Sequence, residues 1–150
     1  MASLPNRFYD WIRDPAARSL AGEERTVSEF DHLQGHKYCL LVTYKRSGDP
    51  VPTPVWFGLA DGRLYVRSDA GAAKVKRIRN DPRSRLAPCT SRGKPLGPPA
   101  DGRARVLDQQ SESRLAEAAL RANYGLGRRI YERVGEALGT KTVYLEVTPS

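Results

Sequence analysis

From Lys37 to Thr90 the chain alternates short apolar runs with turn-forming residues. Lys37 to Lys45 is rich in β-branched and aromatic residues and reads as a first strand. Ser47-Gly48-Asp49-Pro50 supplies a turn. Val51 to Leu59 reads as a second strand, although Pro52 and Pro54 bring no N–H to a ladder. The pattern therefore predicts an irregular segment there, where something other than a neighbouring strand meets the backbone. Asp61-Gly62 is a hairpin signal, and Arg63 to Arg67 is the third strand. Ala72 to Asn80 has helical spacing, with Val75 and Ile78 inward and Lys74, Lys76, Arg77 and Arg79 around them. Asp81-Pro82 ends it. Arg83 to Thr90 is the fourth strand, followed by a loop dense in glycine and proline from Ser91 to Pro99.

The flanks are more helical. Gly102 to Asp108 reads as a fifth strand carrying Ala104 and Val106, with Leu107 one step out of phase. Ser111 is placed to cap a long helix in which Leu115, Ala118, Ala119 and Ala122 recur at helical spacing. After an interruption at Tyr124-Gly125-Leu126-Gly127, Ile130, Val134 and Leu138 predict a further helix. Thr142 to Thr148 alternates Val143, Leu145 and Val147 against Tyr144 and Glu146, the two-residue period of a half-buried strand. At the N-terminus, Phe8, Trp11 and Ile12 suggest a short amphipathic helix broken at Asp14-Pro15. Thr26 and Glu29 match a capping box for a second helix running to about Leu33. Six strands joined mainly by hairpins, with two or three helices, give an α+β fold with an antiparallel sheet. Closing the sheet into a small barrel would remove its exposed edges. The expected layout is an N-terminal helical extension over 1–35 and a cofactor-binding unit over 36–150.

A chain of 150 residues with 39% hydrophobic and 28% charged residues fits one soluble domain. No apolar run reaches the roughly 18 residues of a membrane span, and the polar, aromatic N-terminus does not read as a signal peptide. The expectation is a cytoplasmic protein without membrane association. Cys39 and Cys89 lie in separate strand-like runs and read as free core thiols. His32 and His36 are four apart, but no carboxylate or cysteine completes a metal set, so no metal is expected. Walker, dinucleotide and nucleophile-elbow motifs are absent.

The net charge of +8 calls for an anionic partner or reflects a soluble basic surface. The helix from Ala72 offers a specific anion site. Its N-terminus presents unpaired N–H groups, Lys74 lies in the first turn, and Arg67 and Ser68 precede it. Lys76 and Arg77 add charge nearby; the alternative is a solvated basic face. The Thr53-Pro54-Val55-Trp56-Phe57 run offers backbone groups and aromatics for a flat ring, or else ordinary core packing. Nucleic acid is not expected, because basic and aromatic residues are not interleaved on one strand.

Pro50-x-x-x-Pro54-Val-Trp-Phe57, Leu64-Tyr-Val-Arg-Ser68, Lys74-Val-Lys-Arg-Ile-Arg-Asn-Asp-Pro82 and Pro88-Cys-x-x-Arg92-Gly93 together resemble the flavin and deazaflavin oxidoreductases of the pyridoxamine-phosphate-oxidase-like split barrel. Within that group the chain most resembles the probable coenzyme F420-dependent branch. The resemblance implies a six-stranded split barrel with flanking helices. It also implies a homodimer with cofactor at the subunit interface, acting on a small-molecule substrate. It places Lys74 on the cofactor phosphate with Arg67 and Ser68 near it, Ala73 and Lys76 beside it, Thr53 to Phe57 along the ring, and Arg92 reaching an acidic tail. The implied cofactor is coenzyme F420, with FMN as the alternative. No catalytic side chain is assigned, and Tyr44 and Tyr65 are the candidate proton donors. Thr53 and Gly58 stand where the true pyridoxamine-phosphate oxidases carry an arginine and a lysine, and the chain ends soon after Val147. Vitamin B6 oxidation is therefore not expected.

Overall fold

The computed structural model describes residues 15–124 and 141–150. The helices expected over 5–12 and 128–138 lie outside the described residues. A short helix, α1 (Ala16–Ser19), opens at Pro15 and runs into a 3-10 turn over Leu20–Gly22. Proline is pre-set for a helix start. Seven strands follow: β1 (Tyr38–Tyr44), β2 (Pro50–Trp56), β3 (Gly58–Ala60), β4 (Arg63–Asp69), β5 (Arg83–Cys89), β6 (Ala100–Leu107) and β7 (Thr142–Pro149). Helix α2 (Ala73–Asn80) joins β4 to β5, and α3 (Gln110–Tyr124) follows β6.

The sheet order is β2-β1-β5-β6-β7-β4-β3, and every pairing is antiparallel. Its two ends are consecutive pieces of chain. The predicted second strand is divided at Phe57, so that β2 bonds β1 and β3 bonds β4. The sheet thus curls on itself, as expected of a split barrel. The irregularity foreseen at Pro52 and Pro54 is absent. Pro50, Pro52 and Pro54 oppose Tyr44, Val42 and Leu40 in an unbroken register. Spaced two apart, they put every missing N–H on the edge that β1 does not use, so no ladder bond is lost. The break falls instead where the strand changes partner.

The alternation expected in the last strand sorts the faces correctly. Cys39, Leu41, Val55, Leu64, Val66, Leu86, Ala104, Leu145 and Val147 point inward and form the main core with Phe30, Leu33, Val75 and Ile78. On the outer face, Ala17 and Leu20 cover Leu40, Val42, Ala87 and Cys89. Cys39 and Cys89 are both buried and free, and they belong to cores on opposite faces. Burial pushes the Cys89 thiol up to about 12. Arg85 ties the N-terminal segment to the sheet, bonding Asp101 at 2.8 Å and donating to the carbonyls of Leu20, Ala21 and Glu23.

Two helix expectations need correction. No α-helix follows Thr26; Val27 forms a parallel bridge to Ala100, and only Asp31–Leu33 winds, as a 3-10 turn. The apolar spacing there was real, since Phe30 and Leu33 enter the core, but loop contacts took precedence over the cap. In α3 the buried side is Ala116, Ala119 and Leu120, while Leu115 is 44% exposed. The helix lies so close to β3 that small residues must face it. A Cβ built on Gly58 would stand 2.4 Å from the backbone of Ala119.

That contact yields a stability test. Gly58→Ala forces α3 away from β3 and is expected to destabilise the protein by about 1–3 kcal/mol, read from urea unfolding midpoints. Gly62→Ala is a poor control, because Gly62 has φ 75° in the Asp61-Gly62 turn, whereas Gly22→Ala meets open space.

Candidate functional site

Strand β4 delivers the chain to α2 through Ala70-Gly71-Ala72, and the Ala72 N–H bonds the Asp69 carbonyl at 3.0 Å. No side chain caps the helix. The Val75 and Lys76 N–H groups already fold back onto the Ala72 carbonyl, whereas those of Ala73 and Lys74 have no backbone acceptor among the described residues. Two adjacent donors at the positive end of a helix therefore remain available to an anion. The helix stays in place because Val75 and Ile78 enter the main core, and because Arg77 Nε donates to Thr43 Oγ1 at 2.7 Å.

Lys74 is half-buried and forms no hydrogen bond or ion pair among the described residues. Burial holds its ammonium below the ordinary lysine range, the Arg77 charge pushes in the same direction, and Asp69 opposes both. A desolvated cation beside two uncommitted N–H donors is a poor resting arrangement and a good anion receptor. This donor set fits the phosphate of a flavin or deazaflavin.

The other candidate residues divide by strand parity. Ser68 is buried on the inner side and gives its hydroxyl to the Asp69 carbonyl. Arg67 leaves β4 on the opposite face, where it bonds Thr142 Oγ1 at 3.2 Å. Ala73 and Lys76 are exposed on α2. Thr53 and Val55 lie opposite Leu41 and Cys39 on the inner face, whereas Pro54 and Trp56 lie opposite Leu40 and Tyr38 on the outer face. Trp56 meets Tyr38 edge-on, with ring centroids 6.3 Å apart. Phe57, at 1% exposure, is core. Arg92 is exposed on the turn before Gly93, whose N–H bonds the Thr90 carbonyl. His32 is a tie rather than part of any cluster, with Nε2 donating to the Pro98 carbonyl at 2.8 Å. No metal-holding group of residues is present among the described residues.

Sequence reasoning did not single out Thr43 or Asp69. A threonine inside the otherwise apolar Cys39-Leu-Leu-Val42 strand was the available signal for the first. Tyr65, a proton-donor candidate, is buried under α3 and donates to Glu146 at 3.1 Å. Tyr44 lies under the Arg83 guanidinium, 4.8 Å from its ring centre.

A curled antiparallel sheet closed by one shared strand, with an anion-ready helix start at its end, is the architecture of the flavin-binding split-barrel oxidoreductases. Residues 25–149 match the pyridoxamine 5'-phosphate oxidase family, and the chain belongs to it. No curated protein sequence matches the chain. A conserved hypothetical protein of Mycobacterium tuberculosis shares the fold, with TM-score 0.61 and 16% identity over 85% of this chain and 86% of that one. A FAD-binding protein of Mesorhizobium loti matches with TM-score 0.56 and 18% identity, over 79% and 83% of the two chains. A heme-binding protein of Mycobacterium smegmatis matches with TM-score 0.55 and 20% identity, over 89% of this chain and 49% of that one. At such identities the likeness is one of fold. Among the described residues, no helix is long and apolar enough to cross a membrane.

The lowered basicity of Lys74 predicts a pH dependence. A lysine that is easier to deprotonate folded than unfolded opposes folding at lower pH, and this opposition fades as pH rises toward 10.5. Lys74→Met should therefore raise the melting temperature of the cofactor-free protein at pH 7, and its advantage over wild type should shrink toward pH 10.5. Calorimetric melting of both proteins across that range is the check.

Proposed function

We propose that the protein is a coenzyme F420-dependent oxidoreductase that moves a hydride between the deazaflavin and an electron-poor organic substrate. The observation that carries this reading is the anion receptor at the start of α2. There Lys74 stands in the first turn, and among the described residues neither its ammonium nor the Ala73 and Lys74 N–H groups have a hydrogen-bond partner, with Asp69 the acidic group acting on the ammonium. They would hold the cofactor phosphate, with Lys76 exposed beside them for the acidic tail. The charge of +8 favours the more anionic deazaflavin over FMN, by an attraction that salt weakens. When bound, the cofactor supplies the carbon that gives or takes the hydride. The chain's own part is to bind, orient and shield. Thr53, Pro54 and Trp56 are the incompletely buried residues of the ring-lining stretch. Tyr65 is buried and committed to Glu146, and Tyr44 lies under the Arg83 guanidinium, so the reading assigns no proton to either, and water is the donor.

The active form in this reading is a homodimer with cofactor at the interface. A concavity of about 450 Å³ lies between Ala16–Arg25 and Lys94–Pro99, away from Lys74. A second chain would supply the missing wall over the α2 end. FMN in the same place is the second reading, favoured by the FAD-binding relative of the same fold. A non-catalytic carrier of such a cofactor is the third, and the heme-binding relative favours it.

Fluorescence titration with coenzyme F420 and, separately, FMN tests the proposal. Micromolar binding of F420 supports it, tighter binding of FMN transfers the reading to the flavin, and binding of neither overturns both. Lys74→Ala should weaken the bound cofactor roughly ten- to a hundredfold, the size of one charge-assisted contact. An unchanged dissociation constant would place the phosphate elsewhere.

A further inference from the structure

Thr43 is fully buried on the inner face of β1, and the four residues before it, Cys39 to Val42, are all apolar and buried. Its oxygen has a defined use, accepting from Arg77 Nε at 2.7 Å. Arg77 stands three residues after Lys74 in α2, so both side chains leave the same side of the helix. Helix α2 has only eight residues and no side-chain cap. Its apolar anchors, Val75 and Ile78, are also three apart and make a single contact line along the axis. Such a line resists lifting of the helix better than rolling about it, since apolar contacts are not directional. A guanidinium held by a buried hydroxyl is directional and opposes that roll.

We propose that Thr43 and Arg77 are positioning residues that fix the rotation of α2, and through it the aim of Lys74 and of the Ala73 and Lys74 N–H groups at the anion. The inference rests on the phosphate reading of that helix end. Neither residue touches the anion in this scheme. Thr43 acts through Arg77, and Arg77 acts by holding the helix and by placing its charge one turn from the Lys74 ammonium. The other charged group acting on that ammonium is Asp69, at the end of β4.

The experiment compares wild type, Thr43→Val and Thr43→Ser. Valine keeps the volume and removes the acceptor, whereas serine keeps the acceptor. Each protein is titrated with coenzyme F420 and with FMN, and the Lys74 ammonium is followed without cofactor by NMR of labelled lysine, using Lys74→Met to assign the signal. Thr43→Val is expected to weaken whichever cofactor binds wild type by about tenfold and to move the Lys74 titration midpoint, while Thr43→Ser stays near wild type. Unchanged affinity overturns the inference. So does a loss of affinity with an unmoved Lys74 midpoint, because a purely structural defect would do that. If Thr43→Val does not fold, Arg77→Lys, which keeps the charge and removes the Nε donor, is read in the same way. Wild type that binds neither cofactor overturns the phosphate reading itself, before any variant is compared.

Discussion

One stretch of backbone, Pro50 to Ala60, must satisfy two different neighbours. Its first half completes the ladder of β1 and its second half completes that of β4, so the sheet has no choice but to curl. Phe57 marks the change of partner and is driven into the core, which fixes the bend. The three prolines make the first half a one-sided strand, able to bond β1 but unable to donate outward. Edge pairing with a stray strand is discouraged by the same chemistry. Just past the bend, Gly58 lets the backbone of α3 approach at a distance that no side chain permits. In the pyridoxamine-phosphate oxidases that this sequence resembles, a lysine corresponds to that glycine. Here the body of a helix fills the space such a side chain would need, which makes the departure a matter of packing as well as of chemistry.

The closed sheet then separates two kinds of polar group. On the outer face, under and beside α3, Glu146 is buried yet held by Tyr65, by Arg105 Nε at 3.0 Å and by Arg63 at 3.5 Å. Arg105 also pairs with Glu112, and Tyr144 with Glu117. A buried carboxylate with this many donors is satisfied where it stands, and losing one partner would leave it uncompensated. Burial and the Glu146 contact both make Tyr65 harder to ionise. These groups join α3 to the barrel. The α2 end has a different character: among the described residues the Ala73 and Lys74 N–H groups have no backbone acceptor, and Asp69 is the acidic group acting on Lys74.

Sequence alone reaches features in which one local signal has one outcome. Asp61-Gly62 makes its turn, both residues at positive φ, and the alternation from Val143 to Val147 sorts the faces of β7. The α2 helix and its inward Val75 and Ile78 follow from spacing in the same way. Reading fails where two elements compete for a residue. Thr26 and Glu29 have the form of a cap, but Val27 is claimed by Ala100 across the chain. The spacing of Leu115, Ala118, Ala119 and Ala122 suggests a buried stripe, yet the close approach at Gly58 rotates α3 toward Ala116 and Leu120. Charge and position placed Lys74 in the first turn of α2, and it stands there. The split of Arg67 from Ser68 was not legible, because it depends on which face β4 shows to the core.

The Lys74 ammonium connects the fold to its use. The core recruits Val75 and Ile78, and Lys74 is carried along into a place where its charge is poorly solvated. Asp69 acts against burial and the Arg77 charge on that ammonium. In the proposed reading an anion completes the folded state there. In that reading, the desolvation that opposes the charge strengthens its bond to a phosphate, because the attraction acts in a lower-dielectric setting. Binding and folding are, in the same reading, coupled through this one side chain.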